Sequence, residues 1–326
     1  MTEIIAVTIG DIKGIGIKIL IDSWKKNTIK NFILFCDQNF IKKYLKDNKL
    51  NIDLNLIDPK DLKYNKKKLN IYSYRSKSFE DNTYKSLIYA YDFCINNLCI
   101  GTITLPLRKD LIRKKIDKSF IGHTEFFQNL NKKKLSNMIL YHKKVIISPL
   151  TTHLEIKKVP SIISNKAYLY EKILNLHSTL KKDFNIKNPK ILLSGLNPHA
   201  GENGEIGIEE KKYIKPIISK LQNKGIKIIG PVSADSMLIK KNISSFNCFV
   251  FMYHDQALIP FKYISKFSGV NYTGNLDIIR TSPDHGTAYN LINSNEISNK
   301  SLINCFKLIK KIFKNRILDA KSKKIS

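Results

Sequence analysis

The chain has 326 residues, 43% of them hydrophobic and 25% charged, a composition that allows a large core and excludes a disordered or fibrous protein. Lys and Arg number 56 against 27 Asp and Glu, a net charge of +29. The surplus is Lys dispersed along the chain, with short runs at Lys66–Lys68 and Lys132–Lys134. Arg, which reads bases and phosphates bidentately, is scarce, so the charge reads as a Lys-rich solvated surface and not as a nucleic-acid footprint.

In chain order, Ile4–Ile9 reads as a strand that enters Gly10-Asp11-Ile12-Lys13-Gly14-Ile15-Gly16 and then a helix. Phe32–Cys36 is a second strand, Ser78–Asn96 a long helix, and Gly101–Thr104 a short strand. Val145–Ser148 follows, then a helix over Ser164–Leu180 and a strand at Lys190–Ser194. Ile226–Ile229 and Cys248–Tyr253 are further strands. The tail Ser301–Leu318 repeats apolar residues at Leu302, Cys305, Ile309, Ile312 and Phe313, a helix packed on its own core. Strands separated by helices predict an α/β protein with a largely parallel sheet.

The cysteines Cys36, Cys94, Cys99, Cys248 and Cys305 are odd in number and form no CxxC pair, so they read as buried free thiols. Met1–Gly10 lacks a basic leader, and no apolar run approaches the about 20 residues that span a bilayer. A cytoplasmic protein with no membrane or nucleic-acid partner is expected.

Polar residues concentrate just after strands. Thr151-Thr152-His153 follows one, Asn197-Pro198-His199-Ala200-Gly201-Glu202 another, and Tyr253-His254-Asp255-Gln256 a third. Loops at the carboxyl ends of parallel strands converge on one edge. Three neutral imidazoles there suit Zn²⁺ or a similar ion with open positions for substrate oxygens. No HExxH or other local metal spacing supports that set, and three unrelated loop histidines would look the same in sequence. Ile279–Ala288 places Arg280 in a Thr/Ser-rich strand-to-helix turn suited to a phosphate or carboxylate, with a helix expected to start near Gly286. A capped helix start, with Ser282 or Asp284 as the cap, explains the same residues. The Gly10–Gly16 loop lacks the third glycine of GxGxxG, and the chain has no P-loop lysine motif or GxSxG elbow.

Together these blocks resemble one family. Gly10-Asp11 with Gly14-Ile15-Gly16, Thr104 with Pro106 and Lys109, Gly122-His123-Thr124-Glu125, Thr152-His153, Asn197–Glu210, Ala234-Asp235, Tyr253–Gln256, Lys262, Val270-Asn271 and Ile279–Ala288 are similar, in that order, to the 4-hydroxythreonine-4-phosphate dehydrogenase family. The resemblance implies an isocitrate/isopropylmalate dehydrogenase-like fold of two α/β lobes about a cleft, placed roughly at 1–120 plus 295–326 and at 121–294. It implies a homodimer with shared active sites. It also implies NAD-dependent (or NADP-dependent), divalent-metal-dependent oxidation and then decarboxylation of a phosphorylated hydroxy acid on the way to pyridoxal phosphate, with Zn, Mg or Co as the metal. The matching metal ligands are His153, His199 and His254. The matching substrate contacts are His123, Thr124, Lys262, Asn271 and Arg280. Asp235 and Asp255 fall beside the metal, and Asp284, His285 and Gly286 toward the cofactor. The sequence departs from the family pattern at Ile12, Lys13, Ile17 and Lys18, and again over Gly274–Asp277. Threonate or erythronate 4-phosphate is the alternative substrate, and a non-enzymatic polyanion-binding protein the alternative class.

Overall fold

A computed structural model describes residues 3–325 apart from 293, 295 and 296. The chain divides into two compact units, residues 1–131 with 276–313, and residues 132–275 with 314–326.

The first unit is built on β1 (Ile5–Thr8), β2 (Phe32–Phe35), β3 (Leu54–Leu56), β4 (Leu69–Tyr72) and β5 (Thr102–Thr104), with a last strand contributed from far along the chain. The second unit holds β6 (Asn137–His142), β7 (Val145–Pro149), β8 (Lys190–Ser194), β9 (Lys227–Val232), β10 (Cys248–Phe251) and β11 (Val270–Gly274). The returning strand, β12 (Arg280–Pro283), pairs with β5 and completes the order β3-β4-β2-β1-β5-β12, every pair parallel. The second unit has the order β11-β6-β7-β10-β8-β9. Its β7, β10, β8 and β9 run parallel, while β6 is antiparallel to both its neighbours.

Strands β1 and β2 are buried along their whole length, as expected of a parallel sheet covered on both faces. On one face, Phe93 and Leu87 of the helix Phe79–Ile95 pack on Ala6, Ile33 and Phe35. The Phe35 and Phe93 rings meet edge to face at 4.8 Å. That helix starts where expected because the Ser78 hydroxyl accepts the Asp81 N–H at 3.1 Å and Glu80 and Asp81 fill the first turn. Leu302, Cys305, Ile309 and Ile312 of the helix Lys300–Ile325 are buried, as the tail's spacing predicted, and Phe306 meets Phe32 of the sheet. In the second unit, Ala257 and Phe261 of the helix His254–Ser265 close over Met138, Leu140, Ile147, Phe249 and Phe251. Burying each such aliphatic or aromatic side chain contributes roughly 1.5–3 kcal/mol. All five cysteines are free and buried.

Two expectations change. The residues after β12 do not open a helix at Gly286. Ala288 takes a left-handed conformation and only a short turn, Tyr289–Leu291, precedes the helix at Lys300. The backbone N–H of Asp284 donates instead to the Ser301 hydroxyl at 2.8 Å. The boundaries expected near residues 120 and 294 fall at 131 and 275, because Phe126 and Phe127 pack into the first core and β12 adds to β5.

Candidate active site

In the second unit the parallel strands end on one edge, and each ending delivers a polar loop. Past β7, Thr151 is locked to the end of β10: its N–H and hydroxyl both donate to the Met252 carbonyl, at 3.1 and 2.8 Å. This brings His153 beside His254, the first residue of the helix His254–Ser265. Their ring centroids are 5.8 Å apart and their planes inclined by 40°. Both line one cleft with Thr151, Thr152, Tyr253 and Asp255. The Asp255 carboxylate lies 2.6 Å from His254 Nδ1, which fixes that nitrogen as the donor and leaves Nε2 as the ring's ligand atom.

His199 sits past β8 on a strained turn. His199, Ala200, Gly201, Glu202 and Asn203 all have positive φ, between 40° and 78°. Such a conformation costs roughly 1–2 kcal/mol for each non-glycine residue. A buried carboxylate holds the turn. Glu210, 2% exposed, accepts the N–H groups of Leu196 and Asn197 at 2.8 Å each, and the Asn197 side chain donates to Glu209 and Glu210 at 2.8 and 3.0 Å. Gly201 is required there: a β-carbon would come 2.6 Å from Glu210 Oε2, and φ is +78°. His153 is likewise left-handed, at φ 40°. Strain of this kind concentrates at functional sites. Gln256 joins the two strand ends, its amide oxygen accepting the Met252 N–H at 2.8 Å and its amide nitrogen donating to the Gly195 carbonyl at 3.1 Å.

The structure therefore brings two of the three candidate imidazoles together. Among the described residues no three His, Cys, Asp or Glu side chains gather closely enough to hold a metal ion. The donor set suits one nonetheless: two imidazole rings, one of them oriented by a carboxylate, open to a cleft. Asp235 is exposed in the turn Ala234–Ser236 past β9. Lys262 is half-buried, its ammonium 4.6 Å from the Phe267 ring centroid. Asn271, on β11, has a buried side-chain oxygen with no hydrogen-bond partner among the described residues.

The first unit carries a second constellation. Arg280, 1% exposed, donates from Nε and Nη2 to the Thr104 hydroxyl, with its guanidinium 5.9 Å from the Phe127 ring centroid. Burial lowers its pKa to about 10, so it stays charged at neutral pH. His123 opens the helix His123–Leu130, followed by Thr124. Burial, and then the charges of Arg280 and Lys109, hold the imidazole well below its usual pKa, so it is neutral. Its Nε2 is buried without a hydrogen-bond partner among the described residues. Asp284 is buried past β12, while His285 is half-buried and Gly286 exposed. The loop they open returns to the first glycine loop: the Ile15 N–H donates to the Thr287 carbonyl at 3.0 Å, and the Tyr289 hydroxyl meets Asp11. A crevice lined by Asp11, Ile12, Lys13, Phe79, Arg108 and Tyr289 lies where the loops after β1 and β5 part. That is the switch point of the strand order, where open α/β sheets bind ligands. Glu210, Thr104 and Lys109 escaped assignment from sequence as site residues. A second carboxylate after the glycine-rich loop was the one local sign of Glu210.

The family model for the pyridoxal phosphate biosynthetic protein PdxA matches residues 28–309. The chain is 36% identical over 310 residues to the 4-hydroxythreonine-4-phosphate dehydrogenase of Wigglesworthia glossinidia brevipalpis, covering 91% of this chain and 93% of that protein. It is 33% identical over 316 residues to the enzyme of the same name from a Sulfurihydrogenibium strain, covering 93% and 96%. The crystal structure of 4-hydroxythreonine-4-phosphate dehydrogenase from Klebsiella pneumoniae superposes with a TM-score of 0.82 at 26% identity, covering 95% of this chain and 99% of that one.

Proposed function

The chain belongs to the PdxA family of pyridoxal phosphate biosynthetic proteins, and from that premise we propose how its residues carry out the reaction. It is an oxidoreductase that oxidises 4-hydroxythreonine 4-phosphate on the way to pyridoxal phosphate. Oxidation at the secondary hydroxyl gives a β-keto acid, and loss of CO₂ then gives 3-amino-2-oxopropyl phosphate.

His153 and His254 would hold a divalent metal (Zn, Mg or Co) through ring nitrogens, with His199 as third ligand. When bound, that metal would supply a Lewis acid for negative charge developing on substrate oxygen, and NAD or NADP would supply the hydride acceptor. Asp255 keeps His254 in the ligating tautomer, and Asp235 lies on the same edge to orient a ligand or move a proton. Lys262, Asn271, Arg280, His123 and Thr124 hold the substrate's phosphate and carboxylate. Asp284, His285 and Gly286, with the crevice at the switch point, receive the dinucleotide. The active form is a cytoplasmic homodimer in which the third metal ligand comes from the second copy. An apolar stripe on the helix bearing His254 supports this, with Ile259 71% and Tyr263 85% exposed.

The observation that carries the reading is the ring pairing of His153 with His254 at the carboxyl edge of parallel strands, with Nδ1 of one ring already committed to Asp255. The test is NADH formation from 4-hydroxythreonine 4-phosphate with and without a chelator, beside threonate and erythronate 4-phosphates. Chelator-sensitive NADH from the first substrate alone is expected. Equal rates with chelator present, or turnover of only the others, would overturn it.

A further inference from the structure

Lys109 and Glu125 are charged residues of the first unit's constellation that the reading above leaves without a task. Lys109 opens the helix Lys109–Lys115, a few residues past the end of β5. The same strand end supplies Thr104, the partner of Arg280. Lys109 is half-buried, and its ammonium reaches the residue before His123. A β-carbon on Gly122 would lie 3.2 Å from Lys109 Nζ and 3.0 Å from Glu125 Oε2. Gly122 is extended, at φ 178°, so glycine is there for space and not for its backbone freedom. The space is taken by an ammonium and a carboxylate at the mouth of a helix whose first side chain presents a buried Nε2 with no hydrogen-bond partner among the described residues.

The charges are unequal. Lys109 and Arg280 are cations, Glu125 is an anion and His123 is neutral. Burial makes the Lys109 ammonium less basic than usual, Glu125 opposes that, and Arg280 and Arg113 reinforce it. The cluster thus has spare positive charge, a planar guanidinium, a flexible ammonium and a ring nitrogen able to donate. Those groups match a phosphate monoester, which carries about −1.5 to −2 charge and three acceptor oxygens. A carboxylate would leave one donor and part of the charge unmet.

We propose that Lys109 binds the phosphate group of the substrate, and that Glu125 is its exchangeable counter-ion until that group arrives. The assignment rests on the reading of Arg280 and His123 as substrate contacts. A fixed Lys109–Glu125 pair serving only the fold is the competing account.

The probe is inorganic phosphate, titrated calorimetrically into the full-length protein, with acetate as the carboxylate control. Wild type binds phosphate and not acetate. Lys109→Gln weakens phosphate by roughly ten- to a hundredfold, the loss of one charge-assisted contact. Lys109→Arg restores most of it. Glu125→Gln, which leaves the ammonium in place, binds phosphate as tightly as wild type or tighter. The far-UV spectrum and melting temperature establish that each variant is folded. Phosphate affinity within twofold of wild type in Lys109→Gln would refute the assignment. So would an equal loss in Glu125→Gln, which would mark the pair as structural. In the dehydrogenase assay Lys109→Gln raises KM for the phosphorylated substrate and leaves KM for NAD unchanged. Phosphate binding that depends on Lys109 in a protein forming no NADH would sustain this site and end the dehydrogenase reading. NADH formation with Lys109 dispensable would do the reverse.

Discussion

His153 and His254, far apart in sequence, stand ring to ring because the Thr151 hydroxyl and N–H both clasp the Met252 carbonyl. Strand pairing between β7 and β10 sets the height of the two loops, and that clasp sets their separation.

If this pair forms the core of a metal site, His153→Ala and His254→Ala each abolish tight binding of a divalent cation while the melting curve of the metal-free protein stays unchanged. His153 is exposed and His254 half-buried, so neither ring belongs to the buried core. Asp255→Asn has a milder effect, weakening the metal by about ten- to a hundredfold through loss of ring orientation. Equilibrium dialysis measures both, and undiminished affinity in either histidine variant removes the site.

Glu210→Gln leaves one oxygen for the Leu196 and Asn197 N–H groups but turns the other into an amide facing the Asn197 amide, donor against donor. Losing this buried charge-assisted contact costs roughly 1.5–3 kcal/mol. The loss falls on the left-handed turn that carries His199. A lower melting temperature and a lower turnover are expected together. A variant as stable and as active as wild type would show that the turn needs no carboxylate.

The buried pair of Asp183 and Arg316 joins the C-terminal helix to the second unit's sheet. Arg316 Nε donates to Asp183 at 2.7 Å, and the Tyr272 hydroxyl donates to the same carboxylate at 2.5 Å. Asp183→Asn leaves a buried guanidinium uncompensated and is expected to destabilise by about 3–5 kcal/mol. Chemical denaturation measures it, and a change well under one kcal/mol would mean that water reaches the pair.

Stability should fall on the acid side through His123. Its folded pKa lies well below 6.5, so below pH 6.5 the unfolded chain takes up a proton that the folded chain refuses. That one residue contributes a slope of about 1.4 kcal/mol per pH unit, present below pH 6.5 and absent above it. His142 and His177 are shifted the same way. His123→Asn should flatten the acid limb of a pH–stability curve by one proton's worth, and an unchanged limb would contradict its neutrality.

The alkaline side carries the opposite sign. Burial pushes the Cys99 and Cys305 thiols up to about 12 and raises Cys36, Cys94 and Cys248 as well. Above pH 9 the unfolded chain loses thiol protons that the folded chain keeps, so stability falls as pH rises. Cys305→Ala should reduce that alkaline slope while leaving a cavity penalty at neutral pH. A slope unchanged by any of the cysteine substitutions would mean the thiols ionise in the folded state.

The sequence alone determined the α/β class, the parallel strands at β1, β2, β5, β7, β8, β9 and β10, the apolar stripe of the last helix, and the loops that carry His153, His199 and His254. These features are local, set by the periodicity of buried positions and by turn residues at strand ends. Antiparallel β6 was not legible, because its hairpin turns through Lys143 and Lys144, without the Asn-Gly or Asp-Gly signal such turns favour. Nor was the pairing of β12, whose partner strand is remote in the chain. Only the tertiary structure decided that His153 meets His254 and that Glu210 braces the His199 turn. It alone set Lys109 and Glu125 together against Gly122. Each is a contact between segments that no periodicity links, fixed by strand register and by the need of buried polar groups for partners.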